Sequence, residues 1–409
     1  MSGCGCDSGE LMPLSQALER LLADVRPLVE TESVGVEQAR CRVLAQDLLS
    51  SIAVPPADNS AMDGYAVNTA GLPEDLRLPV SQRIPAGAQG QPLQPGTAAR
   101  IFTGSEIPPG ADAVIMQEQC EQQGEYVQLN RRPQTGDHIR PAGQDIRPGQ
   151  CAVPAGTRLD ARHLGVIASV GIDRVPVYRR LRVAVLNTGD ELLMPGQPNQ
   201  PGKIYNSNYF TLKGLLEPLG VDVIFSGVVE DSLATTRDAL ALAAQQSDLI
   251  LSSGGVSVGE EDHVKAAVQS LGELGLWRMA IKPGKPLAYG RVGTTPFIGL
   301  PGNPAAVLVT FLMLARPYLL KMQGCTALQP SCFQLPAGFG RERAIPRDEF
   351  IRARLVQGEA GLQAAPLDNQ SSGVLSSAIR AGGLLLIPAG ERVAPGQLLN
   401  FYPFHGVLD

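Results

Sequence analysis

"SDLILSSGGVSVGEEDHVKAAVQSL" (residues 247–271) joins a short apolar run to a loop of small residues, three consecutive acids, and a segment with apolar side chains three and four apart. The run reads as a buried strand and the closing segment as a helix, so the loop between them is a strand-to-helix connection. That unit is the building block of a sheet sandwiched by helices. The loop itself admits three readings: a phosphate cradle, a carboxylate cluster that holds a metal, or a plain turn.

Working outward, the same alternation extends over residues 180 to 325. "RLRVAVLNTGDEL" is an apolar strand ending in a polar loop, "SNYFTLKGLLEPLG" a helix, "VDVIFSGVVED" a strand and "SLATTRDALALAAQQ" a helix. After the opening stretch come two strand pieces about a KPGK turn in "LWRMAIKPGKPLAYG". The strand "PFIGLPGNP" and a long buried helix in "AAVLVTFLMLARPYLLKM" follow. Such alternation predicts an open parallel sheet with right-handed crossovers. On either side the texture differs. "LSQALERLLADVRPL" and "GVEQARCRVLAQDLL" read as helices, residues 50 to about 180 as short β-rich segments punctuated by Pro and Gly, and residues from about 328 onward as a small β-domain. "DARHLGVIASVG" is the one helical pattern within the β-rich stretch. A phrase of PAG then PG recurs at 85, 141 and 388, which recurring turn geometry explains as well as duplication does.

Size and composition bound the function. A chain of 409 residues implies more than one domain. With 45 Gly, 33 Pro and 5 % aromatics it is turn-rich but otherwise ordinary in its apolar and charged content. A net charge of -6 and the lack of a basic run argue against nucleic acid as a partner. The longest purely apolar run, "AAVLVTFLMLA" (305–315), falls short of the roughly 20 residues that cross a bilayer, so no membrane span is expected. "MSGCGCDSGELMPL" carries no secretory pattern, and seven scattered cysteines fit reduced thiols; both point to a cytoplasmic protein. Cys4 and Cys6 read as part of a polar tail, with a shared soft metal as the alternative.

In an open α/β sheet, ligands bind beyond the carboxyl ends of the strands. There the sequence delivers "NTGDE" (187–191), "ED" (230–231), "SGGVSVGEED" (253–262), "KPGKP" (282–286) and "PGNP" (301–304). Asp190, Glu191, Asp231, Glu260, Glu261 and Asp262 crowd one rim, where like charges repel unless a cation intervenes. Mg²⁺ suits such a rim, taking one or two carboxylates and filling its other positions with water and phosphate oxygens. Glu260 and Glu261 equally suit the first turn of a helix, whereas Glu191 and Asp262 read as functional. Lys282 and Lys285, with Arg278, suit an anion. Pro301, Gly302 and Asn303 open a helix whose free N–H groups face an anion, and Gly254, Gly255 and Ser257 line the loop quoted first. Together they describe a Mg-phosphate ligand, a nucleotide or a pterin-like phosphate.

A second concentration lies in "PPADNSAMDGYAV" (55–67), "RIFTGSEIPPGADAVIMQE" (100–118) and "HIRPAGQDIRPG" (138–149). Asp58, Asn59, Ser60, Asp63, Thr103, Arg140 and Asp145 gather there, as functional residues or as Asx-turn formers.

With these motifs assembled, the chain resembles the molybdopterin molybdenumtransferase family, whose animal counterpart is the E-domain of gephyrin. "DNSAMDGYAV", "FTGSEIPPGADAVI", "RPAGQDI", "NTGDEL", "SGGVSVGEEDHVK", "IKPGKPLAYG" and "GLPGNPAAVLVTF" carry it, in this order, over nearly the whole chain. The resemblance implies Mg²⁺-dependent insertion of molybdate into adenylylated molybdopterin with release of AMP. It also implies an elongated homodimer that contacts the adenylyltransferase of the same pathway and apo-molybdoenzymes. It divides the chain into 1–49 with 150–181 (a helical and β linker domain), 50–149 (β-rich), 182–327 (α/β, molybdopterin-binding) and 328–409 (C-terminal β). Asp63, Thr103, Arg140 and Asp145 match its β-domain positions; Glu191, Asp231, Asp262 and Lys282 match those of the α/β domain, with Glu191, Asp231 and Asp262 on the metal. The two sets are expected to meet across the dimer cleft.

Two departures stand out. Arg278 replaces the Lys that many members carry after the Trp, keeping charge but changing geometry. "QSSG" (370–373) replaces "QGSG", which leaves open whether Ser371 and Ser372 touch substrate. Competing readings are an adenylyltransferase, which needs only the α/β domain, and a non-catalytic dimeric scaffold.

Overall fold

The computed structural model describes residues 11–255, 263–358 and 361–405. At its centre lie β1 (Arg182–Thr188), α1 (Ser207–Leu216), β2 (Asp222–Val229), α2 (Leu233–Gln246), β3 (Leu249–Ser253), α3 (His263–Leu271), β4 (Gly272–Arg278), β5 (Pro286–Val292), β6 (Thr295–Leu300) and the long helix α4 (Pro304–Met322). The six strands lie in the order β2-β1-β3-β6-β5-β4.

Alternate strand residues serve opposite faces. Val183, Val185, Leu249, Leu251, Ile298 and Leu300 pack with α1 and α4 in one core, while Ala184, Leu186, Ile250 and Phe297 pack with α2 and α3 in another. Both faces are covered, which is why these strands are apolar without alternation. Packing on the first face is completed by Ala17 and Leu21 of the helix Leu14–Ala23, both fully buried. α4 is long and apolar enough to cross a membrane by length and composition, but 94 % of its most apolar window is buried in this core. A π-helical turn over Phe311–Ala315 precedes Pro317 and admits the ring without breaking the helix.

The sheet is mixed where a parallel one was expected. β2, β1, β3 and β6 run parallel, whereas β5 is antiparallel to both β6 and β4. The reason is connection length. Parallel neighbours need a crossover helix, and β5 reaches β6 through Gly293 and Thr294 alone, which permits only an antiparallel return.

A second expectation fails at "GVEQARCRVLAQDLL". Its apolar spacing is helical, yet only Val36–Gln38 forms a short 3₁₀ turn. The backbone bonds outward: Cys41 N–H donates to the Leu159 carbonyl and Leu44 N–H to that of Thr157. Nearby, Thr31–Gly35 pairs with Arg174–Tyr178, and the buried Arg42 bonds Glu32 at 2.5 Å. Tertiary pairing has overridden a weak local propensity. The helical reading of "DARHLGVIASVG" corresponds to Ala161–Ser169, which begins with an Asp160 and His163 capping box.

Two further sheets flank the centre. The first, within residues 64–129, has Gly64–Val67 between Ala113–Met116 and Ala98–Ile101. The second is built from C-terminal strands and takes in Ile281–Lys282 as a parallel strand beside Asp348–Gly358. Between β4 and β5 the chain thus leaves the central sheet to add a strand to the C-terminal one, and the C-terminal domain is fixed beside the carboxyl edge of the central sheet. The five described cysteines, Cys41, Cys120, Cys151, Cys325 and Cys332, are free thiols.

Candidate active site

β1, β2, β3 and β6 all end at one edge, and because β4 runs in the same sense as β6, the β4–β5 connection lies there too. The edge opens into a cleft of about 970 Å³. It brings together Glu191, Gly254, Gly255, Lys282, Lys285, Pro301, Gly302 and Asn303 from the central domain, with Ser371 from the C-terminal one. Ser257 and Asp262, with Glu260 and Glu261, lie outside the described residues.

Glycine is required at two points of this edge. Gly189 has φ +142°, and a Cβ there would meet the Glu191 carboxylate at 2.3 Å, so the acid folds back over it. Gly255, at φ +65°, passes so close to Val264 that a Cβ would fall 2.3 Å from its methyl. Asp190 plays a supporting part, its carboxylate accepting the Asp231 N–H at 3.1 Å and its carbonyl accepting the Lys203 ammonium. Asp231 itself does not line the cleft, nor does the exposed Arg278, whose carbonyl accepts the Met12 N–H.

Lys282 is held from behind. Its ammonium lies 2.8 Å from Glu349, a carboxylate on the C-terminal strand that also binds Arg341. Burial works against ionisation of Glu349, but hydrogen bonds from Lys282 and Arg341 outweigh it and keep the carboxyl below its ordinary range. Nothing in the sequence around Glu349 signals this role, since its partner is 67 residues away in the chain. Arg347, likewise unforeseen, adds a third cation to the cleft, in company with Gln370 and Ser372.

The Ser371 loop is set by a buried side chain. Arg352, 1 % exposed, donates to the carbonyls of Asn369 and Ser371 and to the Ser377 hydroxyl, while Gln370 bonds the Arg352 backbone in both directions. This loop also changes the reading of the α4 N-terminus. The Ala305 N–H, expected to face an anion, donates to the Ser372 carbonyl at 3.0 Å, and those of Ala306 and Val307 return to Asn303. The protein satisfies these orphan donors itself, so the cleft attracts anions through its side-chain cations.

The β-domain residues form a separate group, and none of them lines this cleft. Asp63 precedes Gly64–Val67 and Thr103 follows Ala98–Ile101, strands paired through Gly64 and Ile101. One Asp63 oxygen accepts both the Thr103 N–H at 2.8 Å and its hydroxyl at 2.7 Å. These bonds, the backbone one first, hold the carboxyl below its ordinary value, so the half-buried Asp63 is a carboxylate at neutral pH. Arg140 pairs with Asn59, and the Asp145 N–H donates to the Val54 carbonyl at 2.9 Å, within the same β-rich region.

Comparison with known proteins agrees along the whole chain. Residues 12–171 match the MoeA N-terminal region (domain I and II), 184–321 the probable molybdopterin binding domain, and 334–404 the MoeA C-terminal region (domain IV). The chain is 38 % identical over 403 residues to a molybdopterin molybdenumtransferase of Haemophilus influenzae, covering 97 % of this chain and 100 % of that one. It is also 38 % identical to molybdopterin molybdenumtransferase 2 of Mycobacterium tuberculosis, covering 95 % and 98 %. The crystal structure of a molybdopterin biosynthesis protein, moeA, from Pyrococcus horikoshii superposes with a TM-score of 0.83 at 28 % identity, over 96 % of this chain and 100 % of that one. Three family regions in their proper order, and relatives 38 % identical over nearly the whole chain, leave one conclusion: this chain belongs to the molybdopterin molybdenumtransferase family.

Proposed function

We infer that the protein is a molybdotransferase that inserts molybdenum into molybdopterin in molybdenum cofactor biosynthesis. The observation that carries this reading is the convergence of Lys282, Lys285 and Arg347 on one cleft with Glu191 at its rim. Three cations suit a substrate pair made of an oxyanion and a phosphorylated pterin, here molybdate and adenylylated molybdopterin with AMP as the leaving product.

Mg²⁺ fits the donor set. Such an ion takes one or two carboxylates and fills its other positions with water and phosphate oxygens, and Glu191 offers one carboxylate at the cleft wall. Glu191 would hold it from the cleft wall, with Asp231 and Asp262 as the acids that the family resemblance adds; when bound it would supply polarisation of the phosphoanhydride. The chain's own residues do the rest. Lys282 and Lys285 hold oxyanion oxygens, Glu349 fixes the Lys282 ammonium, and the Ser371 loop closes the C-terminal side. Asp63, already ionised, receives a proton rather than giving one. Thr103 aims it, while Asp145 and Arg140 supply a second acid and an anion contact.

Since Asp63 and its companions do not line the cleft of their own chain, a homodimer supports the reading best, with the β-domain of one protomer completing the cleft of the other. We place the enzyme in the cytoplasm, with the pathway's adenylyltransferase and apo-molybdoenzymes as partners. The test is release of AMP from adenylylated molybdopterin by the purified protein. Dependence on molybdate is expected, and release that is absent or indifferent to molybdate would refute the transferase reading. An adenylyltransferase would instead consume ATP and unmodified molybdopterin.

A further inference from the structure

Arg100, on the strand Ala98–Ile101, lies opposite Tyr65 of Gly64–Val67 and reaches both of the segments that carry Asp63 and Thr103. One of its terminal nitrogens donates to the Gly64 carbonyl at 3.1 Å, next to Asp63, and the other to the Gln117 side-chain oxygen at 2.5 Å. Gln117 in turn sends its backbone N–H to the Asp63 carbonyl at 2.9 Å. The guanidinium also lies over two rings, 5.1 Å from the Tyr65 centroid and 4.8 Å from that of Phe102, the residue before Thr103. The contacts close a circuit from Asp63 through Thr103, Phe102, Arg100 and Gln117 back to Asp63. Gly64 leaves this circuit no slack, since a Cβ there would fall 1.9 Å from the Ile115 carbonyl oxygen.

Every acceptor that Arg100 meets in the circuit is neutral, a carbonyl, an amide or a ring face, so its charge is held in place without being cancelled. That charge acts on Asp63, adding to the two Thr103 bonds in lowering its pKa. Tyr65 and Cys120 also sense it; burial pushes both up, Cys120 to about 11, so they are uncharged at neutral pH. Glu118 accepts from the Gln117 amide, and His138 and Glu106 meet the segment before Asp63 through their backbones.

We propose that Arg100 is a positioning residue for the reaction, bolting the Asp63 and Thr103 segments together and directing an uncancelled positive charge at the carboxylate. Its effect on turnover runs through Asp63 and so rests on the reading of that residue as the proton acceptor.

The test compares full-length wild type, Arg100→Gln, Arg100→Lys and Arg83→Gln by the pH dependence of molybdate-dependent AMP release. Alongside it, the Asp63 carboxyl is titrated by NMR, with Asp63→Asn identifying its signal. Arg83 is the control, because it lies 4.6 Å from the same Phe102 centroid without sharing the Arg100 hydrogen bonds. Arg100→Gln is expected to lower kcat about tenfold with KM for molybdate unchanged. It should also move the acid limb of kcat/KM, and the Asp63 titration with it, to higher pH. Arg100→Lys restores the charge but not the planar fork, so the limb should return toward wild type while kcat recovers only in part. Arg83→Gln should leave both as they are. A loss of activity in Arg100→Gln with the acid limb and the Asp63 titration unmoved would mark a purely structural arginine and overturn the proposal, as would an equal shift in Arg83→Gln. Full wild-type kcat in Arg100→Lys would overturn it too, and can be read even if Arg100→Gln does not fold. An Asp63 titration that moves while kcat stays as it was would uphold the coupling of Arg100 to Asp63 and count against Asp63 as the proton acceptor.

Discussion

The two groups of polar residues are built on opposite plans. In the β-domain, Asp63 and Thr103 meet because two neighbouring strands pair, and their hydrogen bonds set the acid's charge within a small local unit. In the central cleft the residues come from several strand ends and from the C-terminal domain, and Lys282 takes its place only because Glu349 stands behind it. The first group is held within one small sheet. The second depends on how domains pack. The difference teaches that a locally held acid and a cation set held across domains will fail in different ways when altered.

The largest effect should come from the cleft. Lys282→Ala removes the oxyanion contact proposed for it and leaves Glu349 with one partner fewer; molybdate-dependent AMP release should fall about 10²–10³-fold. Asp63→Asn keeps the Thr103 contacts in shape but not the charge, and should lower kcat about 10²-fold with little change in stability. Mixing these two inactive proteins tests the comparison directly. If each site draws on both chains, refolded mixtures should regain up to about a quarter of wild-type activity, since half the dimers would be mixed and each would hold one intact site. No recovery would place both groups within one chain.

Glu349→Gln should act more gently, lowering turnover about tenfold by releasing Lys282 while Lys285 and Arg347 remain. The pH dependence follows from its depressed pKa. The contribution of the ion pair to stability is complete above the ordinary glutamate value of 4.5 and is lost as pH falls through the lower folded value, so wild-type stability should decline there more steeply than that of Glu349→Gln. Asp63 makes no comparable contribution to packing.

The smallest effect on activity is expected away from both groups. Asp248, the second residue of the stretch quoted at the outset, binds Arg179 at 2.7 Å and Arg182 at 3.2 Å. Burial opposes its ionisation, but these bonds prevail and bring its pKa down to about 2. Asp248→Asn should cost about 2 kcal/mol of stability at neutral pH, measured by denaturant unfolding, with kcat unchanged. The wild-type advantage should disappear as pH falls from about 4 to about 2, since the carboxylate is protonated first in the unfolded chain.

Much of this was legible in one dimension. Apolar runs of strand length, helical spacings and glycine-rich loops follow local stereochemistry, and they marked the α/β centre and the five strand-end segments. The failures share a physical cause. "GVEQARCRVLAQDLL" has helical spacing, but its N–H groups find partners on a segment more than a hundred residues away. The free donors read into "PGNPAAV" are taken by the Ser372 and Asn303 carbonyls, and the short link after β5 turns an expected parallel sheet into a mixed one.

What the sequence determined by itself is the set of elements and the chemistry each loop can offer, because propensity, burial pattern and charge are properties of short stretches. Only the tertiary structure decided which charges share a cleft: Arg347 in the same cleft as Lys285, Glu349 behind Lys282, Arg352 beneath the Ser371 loop. Coulomb and hydrogen-bond energies depend on distance in space, and separation along the chain carries no record of it.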